Sequence, residues 1–346
     1  MMIKYDQRYK TRYYCSIISK SDRRSDKMEN INGKKIICIG TALVDCIIRG
    51  FDPEPVSASG FRADSCSLNA GGEAVNVSVA AARLGLSSSI LCFLGNDGAG
   101  SLVRSALESS NVDTRLIVNS DDYATPVTTM FVNEDGTRKS VTNTAHRYNF
   151  HPDKYTDSLS GADAVILGSL FRAPFDDPEV IKSVLISARA QGALIIADTK
   201  LPNFNFLSLS DISDSMPLID YITPNEDEAK YYSGGTDPQE MADVFLACGV
   251  KNIIIKLGSR GCFFKNADES FYLPAFPVKA VDATGAGDNF IAGFTGELLR
   301  GNDVRNSVRF ANACGAICTT AVGAGTALQS RAQVLEFLAS STIQCL

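Results

Sequence analysis

Histidine is nearly missing from this 346-residue chain, which holds only His146 and His151. A Ser-His-Asp hydrolase or a histidine-ligated zinc enzyme would have to be built on these two. Neither lies in a recognisable motif, so both are read as surface residues. No run approaches eighteen consecutive apolar residues, which leaves no candidate for a membrane helix. Positive charge is also short. Against 39 Asp and Glu stand 33 Lys and Arg, and the net charge of −6 argues against a nucleic-acid-binding surface. Ten cysteines occur, none spaced C-x-x-C. Cys38, Cys92 and Cys262 sit in apolar runs, and Cys314 and Cys318 lie four apart on an expected helix. They are read as reduced, buried thiols of a cytoplasmic protein. The Walker pattern G-x-x-x-x-G-K-[ST] is absent. Where a dinucleotide-binding fold wants G-x-G-x-x-G after its first strand, only Gly40 is found, which disfavours a dehydrogenase.

What is present reads as one large α/β unit. Residues 1–34 are basic, polar and aperiodic, without the apolar segment of a secretory signal; they are expected to be a disordered or mis-assigned extension. From residue 35 to about 340, short apolar runs (KIICIG, SILCFLG, DAVILG, ALIIAD, IDYIT, NIIIKLG) alternate with helical stretches at 74–85, 98–109, 177–191, 237–248, 285–300 and 303–322. That alternation predicts a largely parallel sheet with helices on both faces. Residues 46–68 and 124–147 break the rhythm as short strands with an EDGT turn. They are expected to form a small β-rich lid over the carboxyl edge of the sheet, where ligands of such sheets bind.

The stretch DATGAGDNF, residues 282–290, sets Gly285 and Gly287 at the start of a helix whose Phe290, Phe294 and Leu298 repeat at i, i+4 and i+8. Glycine costs helix stability, so it implies close approach to the backbone. A glycine-lined helix N-terminus favours an anion, yet Asp288 would repel one. The conflict resolves if the N–H groups of Gly285, Ala286 and Gly287 hold charge developing on a transferring phosphoryl group while Asp288 takes the proton of the attacking hydroxyl.

Four further stretches add to this. In NAGGEAVN, Gly71-Gly72 leads into a helix carrying Asn76, a poor helix residue that suits a polyhydroxylated ligand; a plain turn before a helix is the alternative. Asp45 ends the segment after the first strand, where most aspartates are turn residues. TPNEDEA places Asn225 and Glu228 as a capping box, or else Glu228 holds Mg²⁺ through water near phosphate oxygens. In KLGSRG, Gly258 and Gly261 form a turn between strands, or bring backbone close to a nucleotide.

NAGGEAVNVSVAAARLG and DATGAGDNFIAGF resemble the two signatures of the ribokinase-like, or PfkB, carbohydrate kinases, and the resemblance runs over about residues 35–335. It implies a ribokinase-like fold with its β-lid, ATP and Mg²⁺ as cofactors, and K⁺ in some members; the exposed β-edge of the lid is expected to pair with a second copy, as a homodimer. Asp288 is implied as catalytic base, with the 285–287 backbone as anion hole. Asp45, Gly72 and Asn76 are implied to hold sugar hydroxyls, with Arg138 of the lid reaching an acidic or ketose substrate or pairing on the surface. Asn225, Gly258, Ser259, Gly261 and Asn312 would face the nucleotide, with Glu228 near magnesium. Asp282 matches a position near a monovalent-cation site, with carbonyls around Cys318 and Gly323. The chain departs from ribose kinases at Leu43, where they carry asparagine, at Glu73, where they carry lysine, and near Ser169 and Leu170, where they carry an acid. The expected activity is ATP-dependent phosphorylation of a sugar hydroxyl. A nucleoside kinase of the same fold and an inactive sugar-binding regulator are the alternatives.

Overall fold

Apolar runs with no polar alternation become strands buried on both faces, and that is how the main sheet forms. The computed structural model describes residues 33–50, 63–132, 138–143 and 150–341. Residues 1–32 of the expected extension lie outside the described residues, as do lid residues 51–62, 133–137 and 144–149 with the EDGT turn and His146. The parallel strands are β1 (Lys35–Ile39), β4 (Ser87–Leu91), β9 (Ala164–Leu170), β10 (Leu194–Thr199), β11 (Tyr221–Ile222) and β12 (Asn252–Lys256). Beyond β12 the sheet continues antiparallel through β13 (Cys262–Asn266) and β14 (Ser270–Leu273), so the order is β14-β13-β12-β11-β10-β9-β1-β4.

Successive residues of each strand feed opposite cores. Ile36, Cys38, Ile166, Ile196 and Ile254 pack against α1 (Glu73–Arg83), α6 (Ala286–Leu299) and α7 (Val304–Cys318). Ile37, Ile39, Val165, Leu167, Ile195 and Ile253 pack against α3 (Pro178–Ala190) and α5 (Pro238–Ala247). Each large side chain so buried contributes roughly 1.5–3 kcal/mol, which outweighs helix and strand propensity in deciding the layers. The remaining helices are α2 (Gly98–Ser109), α4 (Glu226–Ser233) and α8 (Arg331–Ser340).

The lid is a four-stranded sheet, order β3-β2-β7-β8, built from β2 (Leu43–Arg49), β3 (Ser65–Gly71), β7 (Val127–Val132) and β8 (Arg138–Thr142). It starts at Leu43 and ends its second strand at Gly71, so it runs wider than 46–68 and passes directly into α1. The SILCFLG run, expected as one strand, divides at Cys92. Its second half, β5 (Phe93–Gly95), leaves the main sheet to pair with β6 (Val118–Ser120). The helix expected over 303–322 stops at Cys318, and Gly323 follows in a left-handed conformation that an α-helix cannot contain.

The β12–β13 connection is a helical turn, Gly258–Arg260, closed by Gly261. Both glycines have positive φ, but their surroundings differ. A Cβ on Gly258 would meet nothing within 4 Å, whereas one on Gly261 would fall 2.0 Å from Leu273 O and 2.6 Å from Ala275 N. Gly258→Ala should therefore cost about 1 kcal/mol, for the left-handed backbone alone. Gly261→Ala should cost about 2 kcal/mol or more, because the backbone of the neighbouring segment must also move. Urea midpoints of the two variants check this, and equal losses would contradict the close approach.

Candidate active site

Charged side chains gather where the carboxyl ends of β1, β9, β10 and β12 meet the amino ends of α1, α4 and α6 and the root of the lid. Gly285 is the N-cap of α6, left-handed at φ 76°. A Cβ there would lie 2.2 Å from Ala324 Cβ, so glycine is required both by its torsion and by the loop packed against it. Ala286 and Gly287 open the helix, and their N–H groups are among those with no partner inside it. A Cβ on Gly287 would stand 3.2 Å from Lys256 Nζ. Ala286 N also donates to Ala283 O at 3.2 Å; the helix N-terminus, opened by glycine on either side and with an ammonium nearby, fits an anion such as phosphate.

Asp288 follows immediately and is buried. Its Oδ2 accepts a hydrogen bond from Asn76 Nδ2 at 2.8 Å, across 212 residues of chain. Burial pushes its carboxyl up to about 6, against the opposing pull of Lys200. Asp45, on β2, is pushed up to about 6 by burial as well. Its carboxylate lies over Gly71, where a Cβ would fall 2.1 Å from Asp45 Oδ2. Gly72 caps α1 at φ 97°, and a Cβ there would fall 2.3 Å from Thr41 O. Thus Gly71, which no motif role singles out, makes room for Asp45, and Gly72 makes room for the end of β1. Glu73 accepts a hydrogen bond from Thr41 N at 2.7 Å and packs against Gly40 and Gly168. Asp45, Gly71, Gly72, Asn76 and Asp288 are brought together in this way. Arg138 lies apart from them, opening β8 opposite Val132.

On the other side, Asn225 and Glu228 form the capping box of α4. Asn225 Oδ1 accepts from Glu228 N at 2.9 Å, and Glu228 Oε2 accepts from Asn225 N at 2.9 Å and from Thr199 Oγ1 at 2.8 Å. Glu228 Oε1 accepts from Asn225 Nδ2 at 2.8 Å. Burial, and then the negative charge of Asp198, raises the Glu228 carboxyl above its ordinary range. With these bonds in place, the donor set suits contact with Mg²⁺ through water rather than direct ligation. Among the described residues, no three His, Cys, Asp or Glu side chains converge as metal ligands. Ser259 is exposed on the Gly258–Arg260 turn. Asn312, on α7, reaches Pro274 O at 3.5 Å and so meets the same segment that Gly261 abuts. Asn225, Gly258, Ser259, Gly261 and Asn312 thus share the β12–β13 side of the sheet edge.

Asp282 is engaged within the protein. Its Oδ1 accepts from Thr284 N and Oγ1, at 3.0 and 2.7 Å, and its Oδ2 accepts from Gly323 N at 3.0 Å. The carboxylate staples the loop before α6 to the loop after α7, and that role needs no cation.

Three charged residues of the site carry no motif in the sequence. Asp198 is the next-to-last residue of β10, Lys200 follows that strand, and Lys256 ends β12. Lys256 Nζ is 2.5 Å from Asp198 Oδ1, and Lys200 Nζ is 3.5 Å from Asp198 Oδ2. Burial opposes the Asp198 charge, but Lys256 and then Lys200 hold its carboxyl below the ordinary range. Asp198, more than any other group, pushes the Lys200 ammonium up. A charge set at the end of a doubly buried strand was the available signal. A polar cleft of 320 Å³ beside α2, lined by Asn96, Arg104 and Asn119, contains none of the residues above.

A carboxyl raised from 3.8 to about 6 favours the fold while protonated and loses that contribution as pH rises through 6. Asp288→Asn should therefore stabilise the protein by about 2–3 kcal/mol at pH 7.5, with the advantage gone below pH 4. Melting temperature against pH for both proteins tests this; a variant less stable than the parent at pH 7.5 would contradict it.

Residues 33–331 match the profile of the pfkB family carbohydrate kinases. The chain is 28% identical over 265 residues to the ribokinase of Staphylococcus aureus, covering 73% of this chain and 83% of that one. It is 28% identical over 325 residues to the aminoimidazole riboside kinase of Salmonella typhimurium, covering 89% and 96%. Its fold matches that of Arabidopsis thaliana ribokinase, solved with ribose and ATP, at a TM-score of 0.78 and 22% identity over 88% of this chain and 98% of that one. No helix among the described residues is long and apolar enough to cross a membrane. With the matched profile spanning both glycine motifs and the whole main sheet, the chain belongs to the pfkB family of carbohydrate kinases.

Proposed function

We propose that the protein transfers the γ-phosphoryl group of ATP to a primary hydroxyl of a monosaccharide or sugar derivative, with Asp288 as general base. Kinases of this family use ATP with Mg²⁺. One observation carries the reading: the buried Asp288 carboxylate, oriented by Asn76, directly follows the Gly285–Gly287 helix N-terminus. With its carboxyl raised to about 6, Asp288 is ionised at neutral pH yet more basic than an ordinary aspartate.

Asp288 takes the proton of the acceptor hydroxyl. The oxygen's electron pair forms the new O–P bond while phosphorus separates from the bridging oxygen, whose pair leaves with ADP. The N–H groups of Gly285, Ala286 and Gly287 hold the charge on the transferring group. Asp45 and the rest of the Asn76 amide bind acceptor hydroxyls beside Gly72, and Arg138, apart from them at the start of β8, is the lid residue assigned to an acceptor's anionic or keto group. Asn225, Gly258, Ser259, Gly261 and Asn312 border the nucleotide. Glu228 would hold Mg²⁺ through water, and the ion would supply positive charge between phosphate oxygens.

The lid is the dimer contact in this reading, and the second copy is the partner. Strand register sets Cys46, Ile48, Leu68 and Val141 on the lid face opposite Asp45, with Leu68 and Val141 57% and 68% exposed. Such an apolar face on a sheet with an edge strand invites association. Light scattering at micromolar concentration should give twice the chain mass, falling to one chain mass for Leu68→Lys/Val141→Lys. A monomeric parent protein would remove this part of the reading.

A thermal-shift screen of neutral sugars, sugar acids and nucleosides, with ADP and Mg²⁺, identifies the acceptor. With that acceptor, Asp45→Ala should mainly raise its KM, because Asp45 binds in ground and transition states alike. Asp288→Asn should lower kcat by roughly 10²–10⁴ with a smaller change in KM, and kcat of the parent should fall below pH 6 as the base is protonated. A folded Asp288→Asn protein with near-parental turnover would refute the mechanism.

A further inference from the structure

Lys256 and Asp198 have no part in the mechanism above. Asp198 lies one residue before the end of β10 and Lys256 ends β12, with β11 between the two strands. Lys256 Nζ crosses that strand to reach Asp198 Oδ1 at 2.5 Å, and Thr223 Oγ1, from the end of β11, donates to the same oxygen at 3.0 Å. The Lys256 side chain is only 14% exposed and Asp198 is buried. Burying such a pair costs several kcal/mol of desolvation per ion, and an apolar pair of similar volume often serves stability as well or better. The pair therefore calls for an explanation other than stability.

Its placement supplies one. The ammonium approaches the first turn of α6, 3.2 Å from where a side chain on Gly287 would begin. Glycine at 287 keeps the space between the ammonium and the N-terminus of α6 open, whereas the Gly285 position is closed by Ala324. A lysine ammonium has three donors, and Asp198 fixes its position without filling them all. Lys200, on the far side of Asp198, lies toward the base and lowers the Asp288 carboxyl. The two cations are thus divided, one toward the anion hole and one toward the base.

We propose that Lys256 is a phosphate-neutralising residue of the transfer site, held over the Gly285–Gly287 N–H groups by Asp198 as its positioning residue. The ammonium and the helix N-terminus meet the negative charge of the transferring phosphoryl group from two sides. This rests on the kinase reading, but it concerns phosphate charge and is testable without turnover.

The test uses the full chain and magnesium-free tripolyphosphate, with binding measured by calorimetry, alongside kcat and acceptor KM. Lys256→Met should weaken tripolyphosphate binding about tenfold or more and lower kcat by about 10²-fold, with acceptor KM within about twofold of the parent. Lys256→Met leaves Asp198 short of a partner and can unfold the protein, so Lys256→Met/Asp198→Asn carries the decision. That double variant should be folded and yet bind tripolyphosphate and turn over as poorly as expected for the single one. If it regains parental affinity and kcat, Lys256 serves only to neutralise Asp198 and the proposal is overturned. If Lys256→Met binds tripolyphosphate like the parent, it is overturned too. Loss of tripolyphosphate binding in a chain that phosphorylates no acceptor would support the phosphate role of Lys256 while refuting the kinase reading, so the two failures are distinct.

Discussion

The hydrogen bond from Asn76 Nδ2 to Asp288 Oδ2 joins two helices that begin at opposite ends of the chain. Much of the site's geometry depends on it. On one side, Asn76 is fixed one turn into α1, which continues directly from the last lid strand; on the other, Asp288 is fixed one residue past the glycine-lined end of α6. The bond therefore ties the lid's attachment to the N-terminus of α6. It also joins Lys200, the stronger influence, in opposing the burial that raises the Asp288 carboxyl.

The carboxyl edge of the main sheet carries charge at a position where both faces are covered by helices. Every ionised group there needs a partner, and the structure supplies them in pairs: Asp198 with Lys256 and Lys200, Glu228 with Asn225 and Thr199, Asp288 with Asn76. The pairs differ in what they do to acidity. Cations hold Asp198 low, whereas Asp288 and Glu228, satisfied mainly by neutral amides and a hydroxyl, rise with burial. Carboxylates gathered at one sheet edge are thereby separated in acidity by their partners.

Strands buried on both faces write themselves as unbroken apolar runs, so the parallel core and six of its helices could be read to within a few residues, the split at Cys92 apart. The glycine-aspartate motif was legible for the same kind of reason, because glycine at a helix start is locally costly. The Lys256–Asp198 pair was not legible. Its members are 58 residues apart and meet only because β11 separates their strands by one place, a fact of sheet order rather than of local pattern. The role of Gly71 was hidden because its neighbour Gly72 carries the left-handed torsion, while the room Gly71 makes for Asp45 exists only once β2 and β3 pair. The β13–β14 hairpin and α8 add to the edges of layers already formed, where half-buried sequence is closer to ordinary loop composition.

The contact between Gly285 and Ala324 has an evolutionary meaning. Position 324 belongs to a loop with no charge to offer, yet its methyl group already fills the space that any side chain at 285 would need. The two positions are a single unit for selection. A larger residue at 324 would press on the backbone at the N-terminus of α6, and a residue larger than glycine at 285 would demand a smaller one at 324 as well as a left-handed torsion. Among relatives, position 324 should stay small wherever glycine holds position 285, whatever else the loop carries.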